Sequence, residues 1–134
     1  MSRRAAEARA LEAAKARLDR LALYPRPVRI DRVRILAVPW LFRLPWFRRF
    51  DGYATYGLIL LRGPLAAASG DLVCHELCHV WQLQHRPVAM PLSYLRGYAA
   101  NRYEREARAA VAATAGGGPD QASGAAPAPS PAGA

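Results

Sequence analysis

The run Cys74-His75-Glu76-Leu77-Cys78-His79 contains His-Glu-x-x-His. Residues four apart on a helix differ by about 40° in direction, so His75 and His79 can aim two imidazoles at one cation. Glu76 then stands beside that cation, where a carboxylate can take a proton from zinc-bound water. The 134 residues include only three histidines and five glutamates, and three of those eight fall in this single turn. That concentration favours a site over the plainer reading, a core helix with satisfied histidines. The expected chemistry is metal-dependent hydrolysis with Zn2+.

A hydrolytic zinc usually takes three protein ligands and keeps one position open, so a third ligand must come from farther along. His85 is one candidate, because it completes His-Glu-x-x-His-x-x-Gln-x-x-His. Metzincins use this spacing with glycine where Gln82 stands, and that glycine lets the chain leave the helix so that the last histidine can turn back. With Gln82 and Gln84 continuing the helix, His85 points about 240° around from His79. Glu104, in Asn101-Arg102-Tyr103-Glu104-Arg105-Glu106-Ala107, is the preferred candidate. It shares a helical face with Ala107, Ala110 and Val111, which allows close packing. Glu106 points about 200° away from Glu104, so at most one of them is expected to bind, and Glu106 reads as a solvated carboxylate.

The segment His75-Glu76-Leu77-Cys78-His79-Val80-Trp81-Gln82, followed by Tyr103-Glu104-x-Glu106-Ala107, resembles the gluzincin branch of the zincin metallopeptidases, in particular small bacterial zincin-like domains. The resemblance spans roughly residues 53–110 and implies peptide-bond hydrolysis by metal-activated water. Related zincins supply the third ligand from Glu-x-x-Ala-Asp, and Glu104 and Ala107 match that pattern. Arg108 stands where the aspartate would be, so the acidic group that orients a ligating histidine in that pattern is absent.

These residues need elements to hold them. Residues 3–23 are alanine-rich with a Leu11/Leu18/Leu21 stripe, predicting an N-terminal amphipathic helix ended by Tyr24-Pro25-Arg26-Pro27. Val28, Ile30, Val33, Ile35 and Val38 suggest a strand or hairpin that Asp31-Arg32 disturbs. Residues 53–62 read as one mostly buried strand ended by Gly63-Pro64, whose edge would suit an extended peptide. Ser69 or Asp71 caps the His-Glu helix, on which Val73, Leu77 and Val80 are buried and His75, His79 and Gln82 share the neighbouring face. A turn at His85-Arg86-Pro87 and Met90-Pro91 precedes helical stretches at 92–101 and 103–113. The expected fold is a compact α+β domain at 25–114, behind a helix at 1–24. From residue 115 the Gly/Ala/Pro/Ser composition predicts a disordered tail.

Among the other residues, Cys74 and Cys78 read as small buried hydrophobes. Their spacing is one residue too long for covalent haem attachment, and a disulfide within one helix has poor geometry. Tyr94, Tyr98 and Tyr103 are candidates to donate a hydrogen bond to an oxyanion, although packing is the commoner role. Trp81 reads as a core anchor and Gln82 as a donor behind a ligand.

A formal charge of +9 rests on 18 arginines and Lys15. The arginines run from Arg3 to Arg108 without clustering, which argues for a solvated basic surface and against a specific nucleic-acid site. Residues 39–50 hold Trp40, Phe42, Trp46, Phe47 and Phe50 among arginines. They suit either closure of a small core or contact with a substrate or a peripheral membrane surface. The alanine-rich start carries Glu7, Glu12 and Asp19 and no long apolar run, so the expected compartment is the cytoplasm with reduced cysteines. The expected partner is a peptide or protein substrate. The alternative is a non-catalytic, zinc-stabilised interaction module.

Overall fold

Ser2 opens the first helix, α1 (Arg3–Leu18), by accepting a hydrogen bond from the Ala5 N–H. Its buried positions are Glu7, Leu11, Ala14 and Leu18, a helical stripe that includes one carboxylate. The Arg34 guanidinium binds Glu7, which lets the charge stay buried. The computed structural model describes residues 2–98 and 101–116. The expected disorder of the tail therefore falls almost wholly outside the described residues.

The helix stops at Leu18, five residues before the expected end. Arg17 fixes this point: it bonds the Thr114 hydroxyl and the Val111 carbonyl, each at 3.1 Å, and pairs with Asp71 at 2.9 Å. The chain then turns, and Leu21 and Leu23 reach the core from non-helical backbone.

Strand β1 (Arg34–Ala37) is all that forms from the β-like stretch at 28–38. Val28 and Val33 are buried as the pattern implies, but Asp31-Arg32 forms a turn, closed by the Val33 N–H on the Ile30 carbonyl. The run at 53–62 is two strands, not one. β2 (Gly52–Ala54) and β3 (Leu58–Leu61) pair antiparallel, and the Thr55 side chain exchanges hydrogen bonds with Leu58 across the intervening turn. β3 also pairs parallel with β1, giving the order β1-β3-β2. The strand nearest in sequence to the His-Glu helix is thus the central one, with both edges occupied. The outer edge of β2 has no strand partner among the described residues.

Ser69 caps α2 (Gly70–His85), accepting from the Leu72 N–H at 3.0 Å. This helix is buried on most of its circumference. Val73, Cys74, Leu77, Cys78, Val80 and Trp81 meet Leu11, Leu18, Ile35, Ile59, Leu61, Ala107 and Ala110 in one core. Both cysteines are free and buried.

The segment after α2 departs from expectation. Met90 and Pro91 lie inside a short helix, α3 (Ala89–Ser93), because proline near a helix start forfeits no internal hydrogen bond. A continuous helix over 92–101 is interrupted by Gly97 at φ 118°, a left-handed conformation that side-chain-bearing residues rarely adopt. The last helix is α4 (Arg102–Thr114). The architecture is α+β, with helices packed against a small mixed sheet. Among the described residues no helix is long and apolar enough to cross a membrane.

Candidate metal centre

Two helices bring the polar residues together. α2 supplies His75, Glu76, His79 and Gln82 from about two turns, and α4 supplies Glu104 from its first turn. Asn101 sets the start of α4: its side-chain oxygen accepts from the Tyr103 and Glu104 N–H groups at 2.7 and 3.2 Å, and its amide donates to Ser93. Asn101 and Glu104 have capping-box spacing, but here the carboxylate turns away from the cap towards the histidines. Ala107, fully buried, lets the helices approach.

The Nε2 atoms of His75 and His79 lie 3.2 Å apart. His75 Nε2 is 2.8 Å from Glu104 Oε1, and His79 Nε2 is 3.0 Å from Oε2. Zinc bonds of about 2.0–2.1 Å at tetrahedral angles place neighbouring ligand atoms about 3.3 Å apart, so these separations fit a three-ligand face with small adjustments. Two nitrogens and a carboxylate oxygen are also a donor set that zinc accepts. His75, His79 and Glu104 form one group able to hold a metal ion.

The orientation of His79 is fixed from behind. Its Nδ1–H donates to the Gln82 side-chain oxygen at 2.8 Å, which leaves Nε2 directed at the cluster. Gln82 is fully buried, and its amide donates to the Tyr103 carbonyl at 2.8 Å and to Glu106 at 3.1 Å. Glu106 accepts a further bond from the Tyr24 hydroxyl. Gln82 is thus both acceptor and donor, and the half-buried Glu106 is a structural partner in place of the solvated carboxylate expected.

Electrostatics follow from this arrangement. Burial pushes the Glu104 carboxyl up, but the two histidine hydrogen bonds and their charges outweigh it and hold the group well below the usual carboxylate range. For His79, burial works against the charged form, and the hydrogen bond it donates to Glu104 with the charges of Glu76 and Glu104 reverses the balance upward. Glu76 goes the other way: burial raises it above an ordinary glutamate, only partly opposed by the two histidines. A carboxylate raised in this way is a stronger base than an exposed glutamate.

Glu76 has a specific neighbour that sequence reasoning missed. A Cβ built on Gly52 of β2 would lie 3.0 to 3.1 Å from the Glu76 side chain, so any larger residue there would press the carboxylate out of its present position by a few tenths of an ångström. Nothing local in Asp51-Gly52-Tyr53 reveals this, since the contact is made across the fold.

A cleft of about 550 Å³ opens beside these groups, lined by Glu76, His79, Glu104, Tyr94 and Tyr98. Apolar residues including Phe50, Leu83 and Met90 line the rest, and residues 52–56 of the β2 hairpin form one wall. Tyr94 donates to Glu104 Oε2 at 3.2 Å, while burial and the Glu104 charge raise the pKa of both Tyr94 and Tyr98. Tyr103 is instead buried with Leu83 and Met90 in a small second core.

His85 lies outside the cluster. The helix runs through Gln82 and Gln84, and His85 stacks on Tyr24 at 5.0 Å with its Nδ1 on the Trp81 carbonyl. Trp81 is the core anchor expected, its indole donating to the Arg26 carbonyl. Arg108 is exposed and stands 3.8 Å from Glu104 Oε1. The fold is thus an α+β domain whose central helix and last helix share one His/Glu cluster at the floor of a cleft. No protein-family model, curated protein or solved structure matches the chain.

Proposed function

We propose that this chain is a zinc metallopeptidase of the zincin class, gluzincin in type, acting in the cytoplasm on peptide or protein substrates. The observation that carries the reading is the convergence of His75 Nε2, His79 Nε2 and a Glu104 oxygen on one point beside Glu76 and a cleft. Zinc held by His75, His79 and Glu104 would act as a Lewis acid that polarises a carbonyl and acidifies water. Glu76 takes the proton of the attacking water on its carboxylate and delivers it to the departing amine. The missing Cβ at Gly52 leaves that carboxylate its space, and Gln82 holds His79 in the tautomer that leaves Nε2 free to ligate. The Tyr94 hydroxyl, at the rim of the cluster, is placed to donate to a developing oxyanion. The open edge of β2 offers backbone groups to an extended peptide, which supports a polypeptide substrate.

One observation favours a second reading, a non-catalytic module stabilised by zinc. Arg108 faces Glu104 where the resembled pattern has an acidic residue, and a cation there weakens the carboxylate as a ligand. Metal analysis and one variant separate the two. The purified wild type should contain one zinc per chain, retained in His85→Ala and lost in His75→Ala, His79→Ala and Glu104→Ala. Glu76→Gln should keep the metal and lose hydrolysis of an unfolded protein. Zinc kept by Glu104→Ala and lost by His85→Ala would overturn the ligand set; a metal-loaded wild type that cleaves nothing would favour the module.

A further inference from the structure

The residues between β1 and β2 are not consumed by the site, and they are more ordered than a connecting loop needs to be. Successive tight turns join them, with the N–H groups of Leu41, Phe42, Arg43, Leu44, Phe47 and Phe50 each bonded to the carbonyl three residues earlier. Arg62 of the neighbouring backbone clamps the segment by donating to the Arg48 and Phe50 carbonyls, with its guanidinium over the Phe42 ring at 5.5 Å. The inward side is aromatic: Phe42 is fully buried, and Phe47 and Phe50 pack edge-on or tilted against Tyr53.

The outward side carries the other aromatics. Trp40 is 63% exposed and Trp46 76%, with Leu44 exposed between them in sequence. Arg43 and Arg48 are exposed beside them and have no acidic partner among the described residues. The single acidic residue from 38 to 62 is Asp51, which pairs with Arg62 at 3.4 Å. Indoles held in water by a clamped backbone, interleaved with uncompensated arginines, match the interface of an anionic bilayer. The ring seats at the headgroup level there, and the guanidinium meets phosphate.

We propose that Trp40, Leu44 and Trp46, with Arg43 and Arg48, form a docking surface for anionic phospholipid membranes. The net charge of +9 is complementary to such a surface. Arg49 and Phe50, at the end of the same segment, line the cleft, so the docking segment and the cleft are continuous in the chain. This inference stands apart from the peptidase reading, since it requires neither metal nor turnover.

The test is co-sedimentation of the full chain with vesicles of phosphatidylcholine alone or mixed with phosphatidylserine, at about 0.1 M salt. Wild type should sediment only with the mixed vesicles, and brominated lipid should quench its indole fluorescence. Trp40→Ala/Trp46→Ala should lower partitioning about tenfold or more. Arg43→Gln/Arg48→Gln should lower it roughly 30-fold, at about fivefold per arginine. These side chains are exposed, so both variants should melt with the wild type, and the quenching measurement needs no variant at all. Wild type left in the supernatant, equal binding to neutral vesicles, or an unaffected double-tryptophan variant would each overturn the proposal. So would binding to soluble polyglutamate without binding to vesicles, which would point to an acidic polypeptide instead.

Discussion

Gln82 joins the His/Glu cluster to the rest of the fold, and two substitutions there should separate metal affinity from stability. Its oxygen accepts from His79 Nδ1 at 2.8 Å, and its amide bonds the Tyr103 carbonyl at 2.8 Å and Glu106 at 3.1 Å. Gln82→Leu removes all three bonds. Glu106 keeps its bond from Tyr24 and the Tyr103 carbonyl keeps its bond within α4, so the orphan is the His79 Nδ1–H. At about 1–3 kcal/mol for one buried unsatisfied group, partly offset by the apolar side chain, the expected loss is about 1–2 kcal/mol. Freed to rotate and exchange tautomers, His79 should bind metal about 10- to 100-fold more weakly. Gln82→Glu keeps an acceptor for Nδ1–H and makes the imidazole a better ligand. It also loses the donor to Tyr103 and places a second carboxylate against Glu106. Metal affinity should therefore be retained or increased while stability falls by a similar amount. The assays are competition for Zn2+ against a chromophoric chelator and thermal melting of the metal-free protein. Wild-type affinity in Gln82→Leu, or equal loss of affinity in both variants, would refute the claim that Gln82 acts by orienting His79.

Two further outcomes are expected. Gly52→Ala puts a methyl 3.0 to 3.1 Å from the Glu76 side chain, so turnover of an unfolded protein should fall roughly tenfold with zinc content unchanged, and should fall no further in the Glu76→Gln background. For Glu7, burial raises the carboxyl, but the Arg34 hydrogen bond, the Ile35 N–H and the Arg34 and Arg4 charges lower it below 4.5 overall. Its contribution is thus present above the unfolded value and lost as pH falls through the folded one. Urea melts should show Glu7→Gln less stable than wild type by about 1 kcal/mol at pH 7, with the gap closing under acid.

Helical geometry made much of the cluster legible. Offsets of one and four residues fix how His75, Glu76 and His79 diverge from a common helix, and the same arithmetic sets His85 apart from His79. For Glu104 the sequence could give only the facing side, shared with Ala107 and Ala110. Its meeting with α2 depends on packing, and Asn101, the residue that sets the start of α4, lies inside the stretch read as the preceding helix. Strands were harder to read because a buried apolar run carries no periodicity. Residues 58–61 are continuous leucine and isoleucine, and the hairpin depends on the Thr55-Tyr56-Gly57 turn, in which the Thr55 side chain bonds both the Leu58 N–H and its carbonyl. That turn changes the functional reading: it shields β3 with β2 and makes β2 the open edge.

The supporting residues were the least visible, for a reason that concerns function. Gly52, Glu106 and Tyr24 are distant from the cluster histidines in sequence and bear on the cluster through Glu76, Gln82 and Glu106 respectively. A spacing rule cannot detect a residue whose partner lies across the fold. Gln82 is the intermediate case, visible because it lies three residues beyond His79 on the same helix, yet interpretable only once Tyr103 and Glu106 arrive from α4 to occupy its amide. The absence of an aspartate at Arg108 does not leave His79 unsupported: a neutral amide on the histidine's own helix takes its Nδ1–H. An amide polarises the imidazole less than a carboxylate does, so the orientation of the ligand is preserved while its basicity is not raised. On this reasoning the centre retains its geometry, and Gln82→Glu is the change that would show how much ligand strength the amide gives up.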